Sequence, residues 1–519
     1  MSASTDARIG TMNGLGEMFP RLAARWGDKT ALVTDTRTLS FAELDDESTR
    51  VAIGLRNRGV RPGARVSILA QNRWEWIVSY HGALKIGAVV NPLNVMLTGE
   101  EAAYILHDAG SSALLISGDR LESVAPHLAA VPSLTLVVSF DETSVPATPF
   151  ADLLVAHDDG FVPIAVDPDS LGCIAYTSGT TGHPKGAMQS QRSLVLNCAY
   201  TATMHARTEK DVVVTALPAP HVYGNVAING TFLVGGTVVL MSRFDAVRTL
   251  QLIDIHRATL YEGVPAMYSV MLASPELAHV NLSSLTRSTV GGQTIAASLE
   301  RQWEERTGAP LIELWGMTEI SGLGTTHALY APNLHGSIGV ALPGVSVKVA
   351  QLDDATVECD PGVPGELMVK GPIVMIGYFN NPEATSQAIE PDGWMHTGDI
   401  ATHDGIGHFF VVDRLKDMIL TAGYNVYPAE IERVIIGHPS VAMVAVGRAH
   451  DEVKGEVAHA YVVLAPGAES DVDSILAFAR THLSAYKVPR AVHIVDDLPK
   501  TSSGKIMRRL LTPPLTVAG

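Results

Sequence analysis

Over the first 400 residues, short apolar runs alternate with longer amphipathic stretches. Apolar runs bounded by polar residues favour strands, and apolar residues at helical spacing favour helices. The pattern predicts a helix over Trp74–Leu84 and strands over Arg65–Ala70, Ala113–Ile116, Leu134–Val138, Leu171–Ala175, Asp211–Leu217 and Ala258–Gly263. Such alternation is typical of an α/β protein whose mostly parallel sheets are buried on both faces. We therefore predict a large N-terminal domain of stacked, mostly parallel sheets with helices.

The pattern changes after about residue 340, where short strands are separated by Pro and Gly. Strands are predicted over Val345–Val349, Gly365–Val369 and Phe409–Val412. These strands predict a small β-rich subdomain over residues 340–413, which closes the N-terminal domain.

The remaining residues mix helices and strands in a short space. The Pro at the start of Pro428–Ile436 and the acidic residues that follow it predict a helix, and Ser474–Leu483 predicts another. Val441–Val446 and Ala458–Leu464 predict strands. We therefore predict a small α+β domain at the C-terminal end, with a boundary near 413–416.

Composition limits the possible functions. The chain has 519 residues, of which 46% are hydrophobic and 18% charged, as in globular proteins. The formal net charge of −17 argues against nucleic acid as a partner and against an anionic membrane surface.

The cysteines and apolar runs suggest a location. Cys173, Cys198 and Cys359 are too few and too scattered for a disulfide framework or a zinc site, which favours a reducing compartment and a cytoplasmic protein. The first residues lack the apolar stretch of a signal peptide. Runs such as Phe232–Met241 are too short to span a bilayer, so we expect no integral membrane segment.

The most specific local pattern is the segment Tyr176–Ala187, which follows the predicted strand Leu171–Ala175. Glycine allows backbone N–H groups to approach an anion, hydroxyl groups add donors, and Lys185 adds a positive charge. The alternative is a flexible surface loop. The pattern favours a phosphate-binding loop without Walker A spacing, made of Thr177, Ser178, Gly179, Thr180, Thr181 and Gly182.

Together with further segments, this loop resembles the acyl-adenylate-forming superfamily, which includes acyl-CoA synthetases and fatty-acid or aryl CoA ligases. The segments occur in the family's order: Leu217–Gly224, Trp315–Glu319, His396–Asp399, Asp413–Asp417, Gly423–Glu430 and Pro499–Lys505. The resemblance implies an N-terminal adenylate-forming domain (1–413), a hinge (414–417) and a mobile C-terminal lid (418–519). It also implies ATP, Mg²⁺ and coenzyme A as ligands, and a homodimer.

Activation of a carboxylic acid brings two anions together, so the site needs cations and oriented donors. Lys185 supplies charge, and Thr318 is a candidate donor to the α-phosphate. Glu319 is the candidate metal ligand, with Thr180 in the metal shell. Lys505 is the candidate essential lysine, which would bridge the carboxylate and the α-phosphate. The alternatives are a solvated Thr-Glu turn and a solvated lysine near the chain end.

Nucleotide recognition needs a flat slot and partners for the ribose. Trp315 and the following Gly316 offer a stacking face, although Trp315 is equally suited to a core. Gly291 and Gly292 would allow the backbone to approach adenine. Asp399 and Arg414 resemble the ribose contacts of the family.

The resemblance implies an acyl pocket in which His221 lies where the acyl and thiol channels meet and acts as a gate or orienting group. The alternative is a structural histidine. Two of its positions, Gln293 and the neighbouring Trp315, depart from the commonest family pattern. The pocket segments show no cation for a second carboxylate, so we expect a hydrophobic monocarboxylate, medium to long or cyclic. The pocket residues are His221, Val222, Asn225, Gly292, Gln293, Gly316 and Met317.

The resemblance also implies the second half-reaction. Gly423, Tyr424 and Asn425 would line the path of CoA after the lid rotates about Lys416. The predicted function is conversion of an acid, ATP and CoA into acyl-CoA, AMP and pyrophosphate. The alternatives are an enzyme of only one half-reaction, an acyl-AMP ligase that loads a carrier protein, and a binding protein on an inactive fold.

Overall fold

The structure is a computed structural model that describes residues 12–154, 160–177, 184–468, 471–499 and 506–511. The described chain forms two compact units. Unit 1 takes the chain up to Val347 together with Val369–Met395, and unit 2 takes Lys348–Met368 together with the chain from His396 onward. None of the helices in the described ranges has the length and apolar character needed to cross a membrane.

The strands of the described chain are β1 (Thr30–Val33), β2 (Thr38–Ser40), β3 (Arg65–Leu69), β4 (Val89–Pro92), β5 (Ser111–Ile116), β6 (Leu136–Ser139), β7 (Thr148–Pro149), β8 (Leu171–Thr177), β9 (Lys185–Ser190), β10 (Val212–Thr215), β11 (Thr237–Leu240), β12 (Leu260–Gly263), β13 (Arg287–Val290), β14 (Leu311–Met317), β15 (Gly322–Thr326), β16 (Val340–Ala341), β17 (Ser346–Ala350), β18 (Gly365–Lys370), β19 (Gly377–Tyr378), β20 (Met395–His403), β21 (Phe409–Arg414), β22 (Ile419–Thr421), β23 (Tyr424–Val426), β24 (Val441–Asp451), β25 (Gly455–Leu464) and β26 (Ala491–Ile494).

Its α-helices are α1 (Met18–Trp26), α2 (Phe41–Asn57), α3 (Trp74–Lys85), α4 (Gly99–Asp108), α5 (Gly118–Val124), α6 (Phe150–Leu153), α7 (Gln191–Met204), α8 (Val222–Leu233), α9 (Ala246–Ile255), α10 (Pro265–Leu272), α11 (Ala297–Thr307), α12 (Pro382–Ala388), α13 (Pro428–Ile435) and α14 (Val472–His482).

Two large sheets form unit 1. The nine-stranded sheet has the order β16-β15-β14-β13-β12-β10-β11-β1-β2, and the eight-stranded sheet has the order β19-β9-β8-β4-β3-β5-β6-β7. The inner strands run parallel. Antiparallel strands close both edges of the nine-stranded sheet and one edge of the eight-stranded sheet, whereas β7 at its other edge runs parallel to β6. The α/β class with mostly parallel sheets is thereby confirmed.

Local sequence explains why these elements begin where they do. Ser40 and Glu43 form a capping box at the start of α2, because each side chain accepts a hydrogen bond from the other residue's backbone N–H, at 3.2 and 2.8 Å. Val66 and Ile68 of β3 are completely buried, as expected for a strand with helices on both faces of its sheet.

A buried ion pair fixes helix α8 against the nine-stranded sheet. The Arg207 guanidinium pairs with Glu262 on β12, and neither side chain is exposed. Arg207 Nη1 also donates to the Ala227 carbonyl at 2.9 Å and to the Thr231 hydroxyl at 2.8 Å, both on α8. Because a buried charge is tolerated only with such partners, this network sets the position of α8 and of His221 at its N-terminus.

Unit 2 is mixed α and β. β22, β23, β24, β25 and β26 form one sheet, in which β24 and β25 run antiparallel along their whole length. Helices α13 and α14 cover it, with Ile431, Ile435 and Ile475 completely buried in the core. The predicted small α+β domain is confirmed.

The segment 340–413 differs from the single predicted subdomain. β17, β18, β20 and β21 do form a four-stranded sheet. However, β16 pairs with β15 of the nine-stranded sheet, and β19 pairs with β9 of the eight-stranded sheet. The unpaired edge of a sheet can accept a further strand. The local sequence of a two-residue strand does not show which sheet it will join. The predicted hinge at 414–417 is a prediction about motion. The division of the chain into two compact units gives no information on motion, so the hinge stays a prediction.

Two carboxyl groups are buried next to each other in unit 1. Glu300 on α11 is completely buried and Glu313 on β14 is 6% exposed. Glu313 Oε1 accepts a hydrogen bond from the Gly336 N–H at 2.7 Å. Burial raises the pKa of both carboxyl groups, and the charge of Glu313 raises the pKa of Glu300 further.

This pair makes stability depend on pH. Above the unfolded-state pKa of about 4.3 the unfolded chain loses these protons while the folded chain keeps them, so stability falls as pH rises toward the raised folded pKa values. Replacing Glu300 by Gln should reduce the loss in the free energy of unfolding between pH 5 and pH 7.5 by on the order of 1–2 kcal/mol, measured by urea unfolding. Glu305→Gln, an exposed change on the same helix, is the control. Equal losses for both variants would contradict this prediction.

Candidate active site

The predicted phosphate loop joins two paired strands. β8 and β9 are antiparallel, and Thr177 lies opposite Lys185 at the mouth of this hairpin. The Thr177 hydroxyl donates to the Lys185 carbonyl at 3.5 Å. Residues 178–183 lie outside the described residues, so the roles of Ser178, Gly179, Thr180, Thr181 and Gly182 stay predictions. The hairpin therefore places Thr177 at the start of this loop and Lys185 just after its end.

Glu319 lies directly after a strand end, as predicted. β14 ends at Met317, and a short 3₁₀ turn covers Thr318–Ile320. Neighbouring elements hold this turn, because the Gln189 side chain donates to the Thr318 carbonyl at 2.9 Å and the Met375 N–H donates to the Glu319 carbonyl at 2.8 Å. The Glu319 side chain is thereby fixed in a buried position, with 9% of the residue exposed.

Tyr378 contacts both charged groups of the predicted phosphate site. Its hydroxyl donates to Glu319 Oε1 at 2.9 Å, and Lys185 Nζ lies 5.1 Å from its ring centroid. β19 pairs with β9, which sets Tyr378 opposite Ala187. Burial and the Glu319 carboxylate both raise the pKa of the Tyr378 phenol, so it remains a donor at neutral pH.

Replacing Tyr378 by Phe should weaken the binding of MgATP. Phenylalanine keeps the ring beneath Lys185 but removes the hydrogen bond that orients the Glu319 carboxylate. A hydrogen bond to a charged group contributes about 1.5–3 kcal/mol, so a rise of about tenfold in the apparent dissociation constant is expected. Titration calorimetry with MgATP measures it directly.

Tyr330→Phe is the matched control, because Tyr330 is 91% exposed. Its affinity for MgATP should equal that of the unsubstituted protein. If Tyr378→Phe also leaves the affinity unchanged, Tyr378 does not position Glu319 for the metal.

Several predicted nucleotide and acyl-pocket residues of unit 1 lie at the carboxyl ends of β13 and β14. β13 and β14 are parallel neighbours, so the residues after Val290 and those at the end of β14 meet at the same edge. Gly292, Gln293 and Gly316 are exposed there, and Met317 is half-buried. Gly292 has a φ of +85°, which favours glycine.

Packing explains two of the predicted glycines. A Cβ on Gly291 would lie 2.2 Å from Leu314 Cδ1, and one on Gly316 would lie 2.0 Å from the Gly322 carbonyl oxygen. Trp315 is 8% exposed, and its ring packs so close to Gly324 that a Cβ there would lie 2.6 Å from it. The stacking of adenine on Trp315 therefore stays a prediction, and its packing role is evident.

His221 is the N-cap of α8. Its Nδ1 accepts a hydrogen bond from the Tyr223 N–H at 3.3 Å, which satisfies one of the free donors at the helix start. The residue itself is exposed. The cap fixes its ring at the helix end that precedes Val222 and Asn225, and its role as a gate stays a prediction.

Two of the predicted acyl-pocket residues, Val222 and Asn225, line a small cavity in unit 1. A water-sized sphere can occupy about 10 Å³ of it, enough for one water molecule. The Tyr80 hydroxyl donates to Asn225 Oδ1 at 3.5 Å across one side. His221, Gly292, Gln293, Gly316 and Met317 do not line this cavity. Its other walls include Cys173, Gln189 and Ser321.

In unit 2, the two predicted ribose contacts, Asp399 and Arg414, form an ion pair with each other. They face each other across β20 and β21, with Arg414 Nε 2.6 Å from Asp399 Oδ1. Asp399 is buried while the Arg414 side chain is 43% exposed. Arg414 therefore holds the Asp399 carboxylate in place. The resemblance implies that both residues contact the ribose.

The predicted hinge and CoA residues follow in the same unit. Lys416 lies in a 3₁₀ turn over Leu415–Asp417, and its carbonyl accepts a hydrogen bond from Arg448. Gly423 has a φ of +84° and directly precedes β23. The first two residues of this strand, Tyr424 and Asn425, are exposed. The Tyr424 ring stacks on Tyr486 at 4.8 Å. Lys505 lies outside the described residues, so its role stays a prediction.

Sequence reasoning missed the residues that hold Glu319 in position. Gln189, Asn197 and Tyr378 all bind the segment 318–323 or its side chains. The Gly377-Tyr378 pair carries no spacing that relates it to Glu319, so no local signal identifies it.

Comparison with known proteins assigns the chain to a family. Residues 19–379 match the AMP-binding enzyme family, and residues 430–505 match the AMP-binding enzyme C-terminal domain. The chain belongs to this family of AMP-forming enzymes. It is an ATP-dependent acyl-CoA ligase, which works through an acyl-adenylate and uses ATP and CoA with a small-molecule acid.

Individual relatives cover nearly the whole chain. A feruloyl-CoA synthase of Amycolatopsis is 39% identical over 95% of this chain and 98% of its own. A long-chain-fatty-acid–CoA ligase of Bacillus subtilis is 32% identical over 94% of this chain and 92% of its own. The structure of o-succinylbenzoate CoA synthetase of Bacillus subtilis with its acyl-adenylate intermediate has a TM-score of 0.85 and 30% identity, over 96% of this chain and 98% of its own.

Proposed function

We propose that this ligase activates a hydrophobic monocarboxylic acid with MgATP and transfers the acyl group to the thiol of CoA. One observation carries the assignment of the site: Tyr378 contacts both the Glu319 carboxylate and the Lys185 ammonium group. A buried carboxylate and a lysine at the mouth of a Gly/Thr hairpin suit a nucleoside triphosphate with its metal ion.

In the first half-reaction, a carboxylate oxygen of the acid attacks the α-phosphorus of ATP, and pyrophosphate leaves. Lys185 and the loop 177–182 bind the phosphates. The Thr318 hydroxyl donates to the α-phosphate. Lys505 bridges the attacking carboxylate and the α-phosphate, and so stabilises the charge that develops in the transition state.

Glu319 fits a magnesium ion. Its oxygens are hard ligands, and Tyr378 fixes one of them. Within the described ranges no cluster of three or more His, Cys, Asp or Glu side chains is arranged for a metal. This agrees with the usual mode of Mg²⁺ in nucleotide enzymes, where one or two carboxylates and the phosphates hold the ion. Glu319 and Thr180 would hold it, and the bound ion would neutralise phosphate charge.

In the second half-reaction, the CoA thiol attacks the acyl carbon of the adenylate, and AMP leaves. Gly423, Tyr424 and Asn425 guide the thiol after the lid has turned about Lys416. The exposure of Tyr424, at 58%, and the open space around Gly423 support a role in contact with a ligand. His221 separates the acyl and thiol channels.

The acid is medium to long, or cyclic. The two curated relatives described above carry the names of an aryl and a long-chain acid, which supports an apolar substrate. Val222 and Asn225 line the small cavity. We assign the entrance of the pocket to the exposed Gly292, Gln293 and Gly316 and the half-buried Met317. The small cavity holds only one water and is too small for an acyl chain. The acyl chain therefore enters from the side of these entrance residues.

A panel of acids tests the proposal. With decanoic, palmitic, ferulic or indoleacetic acid, the enzyme should release pyrophosphate from ATP and form a CoA thioester. With acetate or malonate it should do neither. Activation of acetate or malonate alone would refute the substrate class. Pyrophosphate release without a CoA thioester would identify an enzyme of the first half-reaction, or an acyl-AMP ligase for a carrier protein.

Assembly and location rest on the family resemblance and on the cysteines. We propose a homodimer in a reducing, cytoplasmic environment. All three cysteines are buried and free. Light scattering on the purified protein should give twice the mass of the chain.

A further inference from the structure

Three carboxylates in unit 2 share a single arginine. Arg508 Nε and Nη2 bind the two oxygens of Glu432 at 3.1 and 2.7 Å. Arg508 Nη1 lies 3.0 Å from Asp417 Oδ2 and 3.5 Å from Asp413 Oδ1. The contact with Glu432 is bidentate, the geometry that only arginine provides.

These carboxylates lie on both sides of the predicted hinge. Asp413 lies in β21 and precedes Lys416, whereas Asp417 and Glu432 follow Lys416. Asp413 is also tied to the far side, because its Oδ2 accepts from the Ala429 N–H at 2.6 Å at the start of α13. Its side chain is only 2% exposed. Any rotation about Lys416 must therefore change at least one contact of this cluster.

Arg508 also belongs to an anchored piece of the tail. The Met507 N–H donates to the Pro499 carbonyl at 2.8 Å, so the residues on either side of 500–505 are joined. Leu511 packs against Ala445, Tyr461 and Leu498. Lys505 precedes Arg508 by three residues, and three residues span at most about 11 Å. The contacts of Arg508 therefore anchor the chain three residues after Lys505.

We infer that Arg508 is the positioning residue for Lys505: its bonds to Asp413, Asp417 and Glu432 tie the tail that carries Lys505 to the hinge. This inference rests on the proposed role of Lys505 in adenylation. Arg508 acts through Lys505 and needs no contact with the substrate. Its loss should impair the half-reaction that uses Lys505 and spare the one that does not.

The test measures the two half-reactions separately. Adenylation is followed by exchange of labelled pyrophosphate into ATP with decanoic acid. Thioester formation is followed in a single turnover from supplied decanoyl-adenylate and CoA. Ferulic acid and feruloyl-adenylate replace these probes if ferulic acid releases pyrophosphate faster. The variants are Arg508→Gln, Arg508→Lys, Lys505→Ala and the control Arg433→Ala, which alters an exposed arginine on the same helix as Glu432.

Arg508→Gln should slow pyrophosphate exchange by about 10–100-fold and change thioester formation by less than about threefold. Arg508→Lys keeps the charge without the bidentate contact and should recover part of the exchange rate. Arg433→Ala should change neither rate. Equal losses in both half-reactions, or no loss in either, would overturn the inference.

Two further outcomes are distinguishable. If Lys505→Ala keeps full exchange activity, the proposed role of Lys505 fails, whatever Arg508 does. If Lys505→Ala loses exchange and both Arg508 variants keep it, only the inference about Arg508 fails. Should Arg508→Gln fail to fold, as judged by thermal unfolding, the split between half-reactions in Arg508→Lys decides.

Discussion

Lys505→Ala should lower the rate of adenylate formation by about 10²–10³-fold. The carboxylate of the acid and the α-phosphate of ATP repel each other, and the transition state gathers further negative charge between them. An ammonium group placed between them is more stabilising in the transition state than in the ground state, so its loss lowers kcat more than it raises KM. Pyrophosphate exchange with decanoic acid measures this step alone.

Two comparisons sharpen the result. Lys500→Ala removes the other lysine of the same segment and should leave pyrophosphate exchange unchanged. Thioester formation from supplied decanoyl-adenylate should also remain in Lys505→Ala, because the charge problem belongs to the first step. An unchanged rate of exchange in Lys505→Ala would remove the central cation from the proposed mechanism.

Glu319→Gln should reduce adenylate formation by about 10²-fold and shift the magnesium dependence to higher concentrations. Glutamine keeps the size of the side chain and an acceptor for the Tyr378 hydroxyl, which donates to Glu319 Oε1 at 2.9 Å. The variant therefore removes the negative charge while it preserves packing. A magnesium titration of pyrophosphate release measures the shift.

Glu390→Gln is the control for this charge change, since Glu390 lies in unit 1 outside the site. Its magnesium dependence should match that of the unsubstituted protein. If Glu319→Gln lowers the rate at every magnesium concentration by the same factor, Glu319 orients the substrate and does not hold the metal.

Much of the fold could be predicted from local pattern. The strand predicted over Arg65–Ala70 is found at Arg65–Leu69, and the helix predicted over Trp74–Leu84 is found at Trp74–Lys85. Buried parallel strands are almost entirely apolar, and such runs stand out in a sequence. The pairing of β16 and β19 with the large sheets was not predicted, because each has only two residues.

The candidate site divides in the same way. The position of Glu319 after a strand end agrees with expectation, whereas the ion pair between Asp399 and Arg414 came only from the structure. The packing of Trp315 against Gly324 came only from the structure. A tryptophan suits a stacking slot and a core equally well, so its composition alone leaves both open.

The sequence by itself determined much of the order of strands and helices, the family, and the residues proposed to bind phosphate, because these depend on neighbours along the chain. Only the tertiary structure placed Tyr378 on Glu319, which is 59 residues away, and Arg508 beside Asp413, which is 95 residues away. Such contacts depend on how distant segments pack and pair, and a hydrogen bond that tolerates only a few tenths of an ångström leaves no trace in local spacing.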